Sequence, residues 1–286
     1  MNDKTWRILE LLKWGEEWLG KKGIEQPRLN MEFLLGHVME KKRVELYLAF
    51  EETVSQEKLV ELKELLQRRI TGEPLMYILG ETEFHGLKIK VNPSAMIPRS
   101  ETEAMMDEVL KEAAHLNPQK IADLGTGTGC LAILLAKHFP QAHVIAVDIS
   151  EKALSLAREN AERNQVSEKM HFLCEDILRW LEQNSGFDLI VANPPYISLE
   201  EFNNLPSSVK DHEPRTALTD EGDGTSFLKR ILAGMTRVLN PQGAAFLEFG
   251  WQMGPWIADA AQENNLKAKI YKDIHGLDRF VKIQCP

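Results

Sequence analysis

Asn193-Pro194-Pro195-Tyr196 is the stretch of this chain best suited to hold a reacting group. It follows an apolar run, Phe187 to Ala192, that reads as a buried strand. Two consecutive prolines fix two φ angles and remove two backbone donors, and each pushes the residue before it to extended geometry. The Asn193 side chain and the carbonyls around it are then fixed in direction, with acceptors that no sheet ladder consumes. Tyr196 adds a flat aromatic face that can pack on a planar group. Together they form a holder for a planar NH2. Such an NH2 delocalises its lone pair and is a poor nucleophile. Accepting both of its hydrogens, one on the Asn193 side-chain oxygen and one on the Pro194 carbonyl, orients it and favours charge developing on nitrogen.

A second constellation lies upstream. Asp123-Leu124-Gly125-Thr126-Gly127-Thr128-Gly129 follows a short strand and precedes a helix, the context in which a glycine-rich loop is informative. Its spacing is Gly-x-Gly-x-Gly, not the pattern of dinucleotide binders, and it lacks a P-loop lysine, so a pyrophosphate site is not expected. Asp123, just before the loop, suits a cationic amine. Asp148 ends the next strand and can accept both hydroxyls of a ribose. Asp176 follows the third strand and can accept from an exocyclic adenine NH2, while the Ile177 backbone meets a ring nitrogen. Each acid alone reads as an ordinary cap or turn residue. Three acids after three successive strands point to one nucleoside site. No metal site is expected, and His85, His212 and His275 read as turn or loop residues.

These groups need a scaffold. From about Lys120 onward strands and helices alternate, which argues a parallel, doubly wound α/β sheet. Glu83 to Val91 reads as a hairpin turning at His85-Gly86, and Ser100 with Glu103 has the spacing of a capping box. Residues Lys4 to Leu79 read as four short amphipathic helices, with Asn30 and Ser55 as caps. Three domains are expected: a helical substrate-binding bundle over 1–80, a hairpin linker over 81–92 and the catalytic domain over 93–286.

The bulk composition narrows the function. The 286 residues carry a net charge of −9 and a pI near 5.5, which counts against duplex nucleic acid as the main partner. Lys41-Lys42-Arg43 and Arg68-Arg69 are local basic spots, expected to be solvated helix ends. No apolar run approaches the ~20 residues needed to span a bilayer, so no membrane association is expected. Met1-Asn2-Asp3-Lys4 leads into a charged segment unlike a signal peptide. Cys130, Cys174 and Cys285 fit no disulfide framework, which suggests a reducing cytoplasm.

The glycine loop with Asp148 and Asp176 resembles class I S-adenosylmethionine-dependent methyltransferases. That resemblance implies that Gly125, Thr126, Gly127, Thr128 and Gly129 wrap the methionine part of S-adenosyl-L-methionine, and that Asn193 lies beside the activated methyl. Asn-Pro-Pro-Tyr resembles the motif of enzymes that methylate planar nitrogen, in nucleic-acid bases or in glutamine. The choice between them comes from Gly72 to Gly80, Ile97-Pro98-Arg99, Glu101-Thr102-Glu103, Glu213-Pro214, Gly222 to Gly224, Leu247 to Gln252 and Asp273 to Arg279. These segments resemble the HemK/PrmC family, protein-(glutamine-N5) methyltransferases of class I peptide chain release factors. The resemblance implies a Rossmann-like, mostly parallel seven-stranded sheet, a helical N-terminal domain, and the glutamine of a Gly-Gly-Gln motif as substrate. Ser100 and Phe249 depart from the family pattern. The rival readings are an adenine-N6 nucleic-acid methyltransferase and a non-catalytic module that keeps the cofactor pocket.

Overall fold

The computed structural model describes residues 5–286, so the reading of Met1 to Lys4 lies outside the described residues. The residues up to Gly80 and residues Glu81–Pro286 form two compact units.

The first unit contains α1 (Ile8–Lys21), α2 (Pro27–Met39), α3 (Arg43–Leu48), α4 (Gln56–Ile70) and α5 (Leu75–Leu79). A two-residue pair, β1 (Trp6–Arg7) with β2 (Thr53–Val54), closes one end. Trp6, within the stretch whose sequence reads as helical, lies in β1. Ser55 caps α4 as expected, accepting from Lys58 N. Asn30 does not cap α2. Pro27 takes the helix's first position, where its missing N–H leaves nothing unpaired. Asn30 therefore lies within the helix, where Nδ2 donates to Glu25 O at 3.0 Å and Oδ1 accepts from Arg69 Nε at 2.7 Å. The basic spots are also engaged internally. Buried Glu32 accepts from Arg28 Nε at 2.8 Å and from Arg43 at 2.6 Å, and Arg68 pairs with Glu73 at 2.6 Å.

The second unit opens on a hairpin, β3 (Glu81–Phe84) and β4 (Leu87–Lys90). Its two turn residues have φ of 48° at His85 and 72° at Gly86, the left-handed pair that a tight hairpin favours. The helix that follows, α6 (Ser100–Ala113), has no capping box. Glu103 reaches the hairpin instead and accepts from His85 N at 2.7 Å. Then come β5 (Lys120–Leu124), α7 (Cys130–His138), β6 (His143–Asp148), α8 (Glu151–Arg163), β7 (Met170–Cys174), α9 (Ile177–Gln183) and β8 (Phe187–Ala192). After two short helices, α10 (Leu199–Asn203) and α11 (Ser207–Lys210), the chain forms α12 (Ser226–Val238), β9 (Leu239–Glu248), α13 (Gly254–Glu263), β10 (Lys267–Lys272) and β11 (Asp278–Gln284). The hairpin is fastened to α8: buried Asn160 accepts from Lys90 N at 2.7 Å, and its Nδ2 donates to the carbonyls of Lys90 and Thr128, each at 2.9 Å.

The seven strands order as β10-β11-β9-β8-β5-β6-β7. β11 runs antiparallel to both neighbours, and the other pairings are parallel. Strand order reverses between β5 and β8, so ligands are expected beyond their carboxyl ends. That junction carries both sequence constellations. One core packs α9, α12 and α13 on the sheet through Trp180, Leu228, Ile231, Met235 and Ile257, all fully buried. β10 and α9 are elements that the sequence reading did not identify. β10 is an exposed edge strand, and its burial pattern lacks the alternation that marks a half-buried strand.

Helix α6 is tied to the antiparallel edge by Glu112, which accepts from Lys282 Nζ at 2.8 Å and Tyr271 OH at 3.0 Å. Lys282 and then Tyr271 hold its carboxyl down to about 2, from an ordinary 4.5. A carboxyl depressed by folding stabilises above its unfolded pKa and loses that contribution as pH falls through the folded one. Glu112→Gln is therefore expected to cost on the order of 1–2 kcal/mol at neutral pH after solvent screening. In urea unfolding the deficit should shrink between pH 4.5 and about 2. A pH-independent deficit would contradict the charge pairing.

Candidate active site

A cavity of about 360 Å³ lies at the carboxyl ends of β5, β6 and β8. Gly125, Thr126, Gly127 and Thr128 line it. The three loop glycines have φ of 76°, 54° and 82°, a left-handed series that disfavours side chains. A Cβ at Gly125 would meet nothing within 4 Å, so backbone conformation, not crowding, requires glycine there. Gly129 does not line the cavity; it turns the chain into α7 against Ala157.

Asp123 is fully buried beneath this loop and does not line the cavity. Its Oδ2 accepts from Thr126 Oγ1 at 2.6 Å and Ala132 N at 3.2 Å, so it fastens the loop to α7. Oδ1 has no hydrogen-bond partner among the described residues. Burial, with Asp148 nearby, pushes the carboxyl up to about 7. The sequence reading aimed Asp123 at a ligand amine; its paired oxygen is spent on the loop.

Asp148 lines the cavity at the end of β6. Its Oδ2 accepts from Gly127 N and its Oδ1 from Ser150 N, both at 2.9 Å. A carboxylate has about four acceptor sites, so each oxygen keeps one for a ligand. Burial raises its pKa despite those two bonds. Asp176 also lines the cavity and is the N-cap of α9: its Oδ1 accepts from Leu178 N at 2.8 Å and Arg179 N at 3.2 Å. Ile177, the first residue of that helix, lies beside it on the cavity wall.

Asn193 and Pro195 face the same cavity from the end of β8. Pro194 is buried, and its carbonyl receives no hydrogen bond among the described residues. Asn193 Nδ2 donates to Thr102 Oγ1 at 3.1 Å. Thr102 in turn donates to Glu248 Oε2 at 2.7 Å, and Tyr196 OH donates to Glu248 Oε1 at 2.9 Å. The Tyr196 ring packs against the core and does not line the cavity, so stacking on an acceptor is not its observed role. Burial, then the Glu248 charge, holds its phenol well above 10, which keeps it a donor.

Thr102 also lines the cavity, and two further stretches of wall run from Ser94 to Pro98 and from Pro214 to Phe227. Arg99 pairs with buried Glu213, whose other oxygen accepts from Ile97 N at 3.2 Å, so the two wall segments are joined. Asp220 gathers the second segment, accepting from Gly222 N and Gly224 N at 2.9 Å each. That segment is fastened to the Asn-Pro-Pro-Tyr exit through Ile197 N to Leu218 O at 3.0 Å and Leu199 N to Gly222 O at 2.9 Å.

The first unit matches the profile of the PrmC N-terminal domain over residues 10–80, and residues 117–283 match a methyltransferase domain. A release factor glutamine methyltransferase of Rhodopirellula baltica is 35% identical over 99% of this chain and 98% of its own. The chain belongs to the release factor glutamine methyltransferases. A relative of that name from Geobacter sulfurreducens is 40% identical over 86% of this chain and 85% of its own. The hMettl16 catalytic domain, solved with an RNA hairpin, shares the fold with a TM-score of 0.55 at 16% identity, covering 82% of this chain and 83% of its own.

Of the two positions at which the sequence reading expects a departure from the family pattern, Ser100 is exposed and Phe249 is fully buried in the core. Neither touches the cavity. Sequence reasoning assigned no chemistry to Thr102, Glu248 or Asp220. Thr102 sits in a helix's first turn and Glu248 ends a strand, and only the fold brings them to Asn193. Thr102 and Glu248 fell within the segments that carried the family resemblance, as Gly222 to Gly224 did. Gly224 has a φ of 83°, and a Cβ there would come within 2.3 Å of the Tyr196 carbonyl oxygen. Gly224→Ala is expected to displace the Asn-Pro-Pro-Tyr exit and lower the melting temperature by several degrees, consistent with a strained, overpacked site. An unchanged melting temperature would contradict that contact.

Proposed function

We propose that this chain transfers the methyl group of S-adenosyl-L-methionine to the side-chain amide nitrogen of the glutamine in the Gly-Gly-Gln motif of class I peptide chain release factors. Family membership supports the substrate class. The placement of Asn193, with its amide nitrogen turned away to Thr102, is the observation that carries the chemistry. The residues present fit the cofactor. The glycine loop leaves open space before Gly125, Asp148 keeps acceptor capacity for two ribose hydroxyls, and Asp176 with Ile177 lines the cavity wall and can meet an adenine edge. Asp123 serves the cofactor from behind the loop, by fastening it through Thr126 and Ala132.

The cofactor, when bound, supplies an electrophilic sulfonium methyl. The chain's own residues align the acceptor. Asn193 Oδ1 accepts one amide hydrogen and the Pro194 carbonyl the other, which orients the nitrogen lone pair and favours the charge that develops on it. Pro194 and Pro195 keep those acceptors fixed. Tyr196 contributes by bracing Glu248. The helical unit holds the protein substrate. The enzyme works in the cytoplasm, consistent with free Cys130, Cys174 and Cys285. Among the described residues no helix is long and apolar enough to cross a membrane. Within the basic spots of the first unit, Arg43 is paired with Glu32, Arg68 with Glu73 and Lys41 with Glu52, which lends no support to a nucleic-acid substrate.

Radiolabelled cofactor incubated with release factor, its loop Gln→Ala variant and duplex DNA tests the proposal. Label is expected on the wild-type factor alone; label on DNA, or none on any substrate, would overturn it. Asn193→Ala is expected to lower turnover at least about 100-fold while cofactor still binds. Asp148→Ala is expected to weaken cofactor binding about 10- to 100-fold by calorimetry.

A further inference from the structure

We propose that Glu248 and Thr102 set the polarity of Asn193, so that the site accepts an amide NH2 and refuses a carboxylate. This rests on the reading that Asn193 receives the acceptor amide. A side-chain amide has two ends of nearly equal shape, one accepting and one donating. Glutamine and glutamate differ in the same way. Which end Asn193 presents therefore decides which of the two the site holds.

Three hydrogen bonds fix the choice. Glu248 lies at the end of β9 with 1% of its surface exposed. As a carboxylate it has no hydrogen to give. Thr102, 3% exposed, spends its single hydroxyl hydrogen on Glu248 Oε2 at 2.7 Å. Only lone pairs then remain on Thr102 Oγ1 for Asn193, 3.1 Å away, and the amide must turn Nδ2 toward it. Oδ1 is left as the end presented to the cavity. Tyr196 OH satisfies the other Glu248 oxygen at 2.9 Å.

The charged surroundings bear on the carboxylate. Burial holds the Glu248 carboxyl above its ordinary value and Glu101 adds to this; bonds from Thr102 and Tyr196 and the charge of Arg279 oppose the rise without cancelling it. Arg279 is itself anchored, donating to Asp273 Oδ2 at 3.1 Å. Thr102 lines the cavity, but its hydroxyl is engaged by Glu248 and Asn193, and Glu248 does not line it; both are positioning residues.

The test compares binding of a release factor with that of its loop Gln→Glu variant, by calorimetry with the full chain saturated with demethylated cofactor. Wild type is expected to prefer glutamine by at least about tenfold, because a carboxylate would leave both sides unpaired. Thr102→Val keeps the shape and removes the hydroxyl, and should shrink the preference to about twofold or less. Thr102→Ser should restore it. Glu248→Gln can orient Thr102 either way and should shrink it too, which provides an independent reading should Thr102→Val fail to fold. An undiminished preference in Thr102→Val or Glu248→Gln overturns the polarity role. An undiminished preference in Asn193→Ala instead overturns the reading that Asn193 holds the amide, so the two failures are distinct.

Discussion

A single buried carboxylate, Glu248, organises the polar side of this site. Burying it without partners would be strongly unfavourable. Hydroxyls from two other segments meet it: Thr102 from α6 and Tyr196 from the exit of β8. Satisfying that one group thus fixes where a helix start, a strand end and the Asn-Pro-Pro-Tyr turn lie relative to each other. Asn193 is the outermost member of the chain of bonds. Its orientation is inherited from a charge it does not contact.

The groups lining the cavity share one character. Asp148, Asp176 and Asn193 offer oxygens; backbone N–H groups hold the two aspartates, and Asn193 is held by donating its Nδ2 to Thr102 Oγ1. A site built of acceptors suits a ligand that brings hydrogens and positive charge: ribose hydroxyls, amino groups and a sulfonium. The prolines and the glycine loop are complementary devices. Pro194 and Pro195 remove backbone freedom where direction matters, and Gly125 and Gly127 remove side chains where approach matters. The wall from Pro214 to Phe227 is fastened to the Asn-Pro-Pro-Tyr exit at Leu218 and Gly222, so the acceptors are held before any substrate arrives.

Much of this was legible in the sequence because it is local. Strand-loop-helix context exposed the glycine loop, regular alternation exposed the doubly wound sheet, and Pro-Pro after an apolar run exposed the holder. What was not legible is non-local or ambiguous. Thr102 and Glu248 are 146 residues apart, and neither type nor spacing links them to Asn193. Tyr196 was read as a stacking face because a ring beside an amide suggests it, whereas core packing and a bond to Glu248 turn it inward. Asp123 was assigned to a ligand because acids before glycine loops face the site in outline, but Thr126 and Ala132 claim one of its oxygens. Asn30 and the Ser100–Glu103 pair were misread as caps. Pro27 starts its helix earlier, and the hairpin's His85 N–H claims the Glu103 carboxylate.

The orientation of the Asn193 amide is the point on which both substrate chemistry and polarity turn. Joint neutron and X-ray diffraction from perdeuterated protein reads it directly. Deuterium is expected on Thr102 Oγ1 directed at Glu248, with the ND2 group of Asn193 facing Thr102 and Oδ1 facing the cavity. An ND2 group facing the cavity, or a deuterium on Glu248 directed at Thr102, would contradict it.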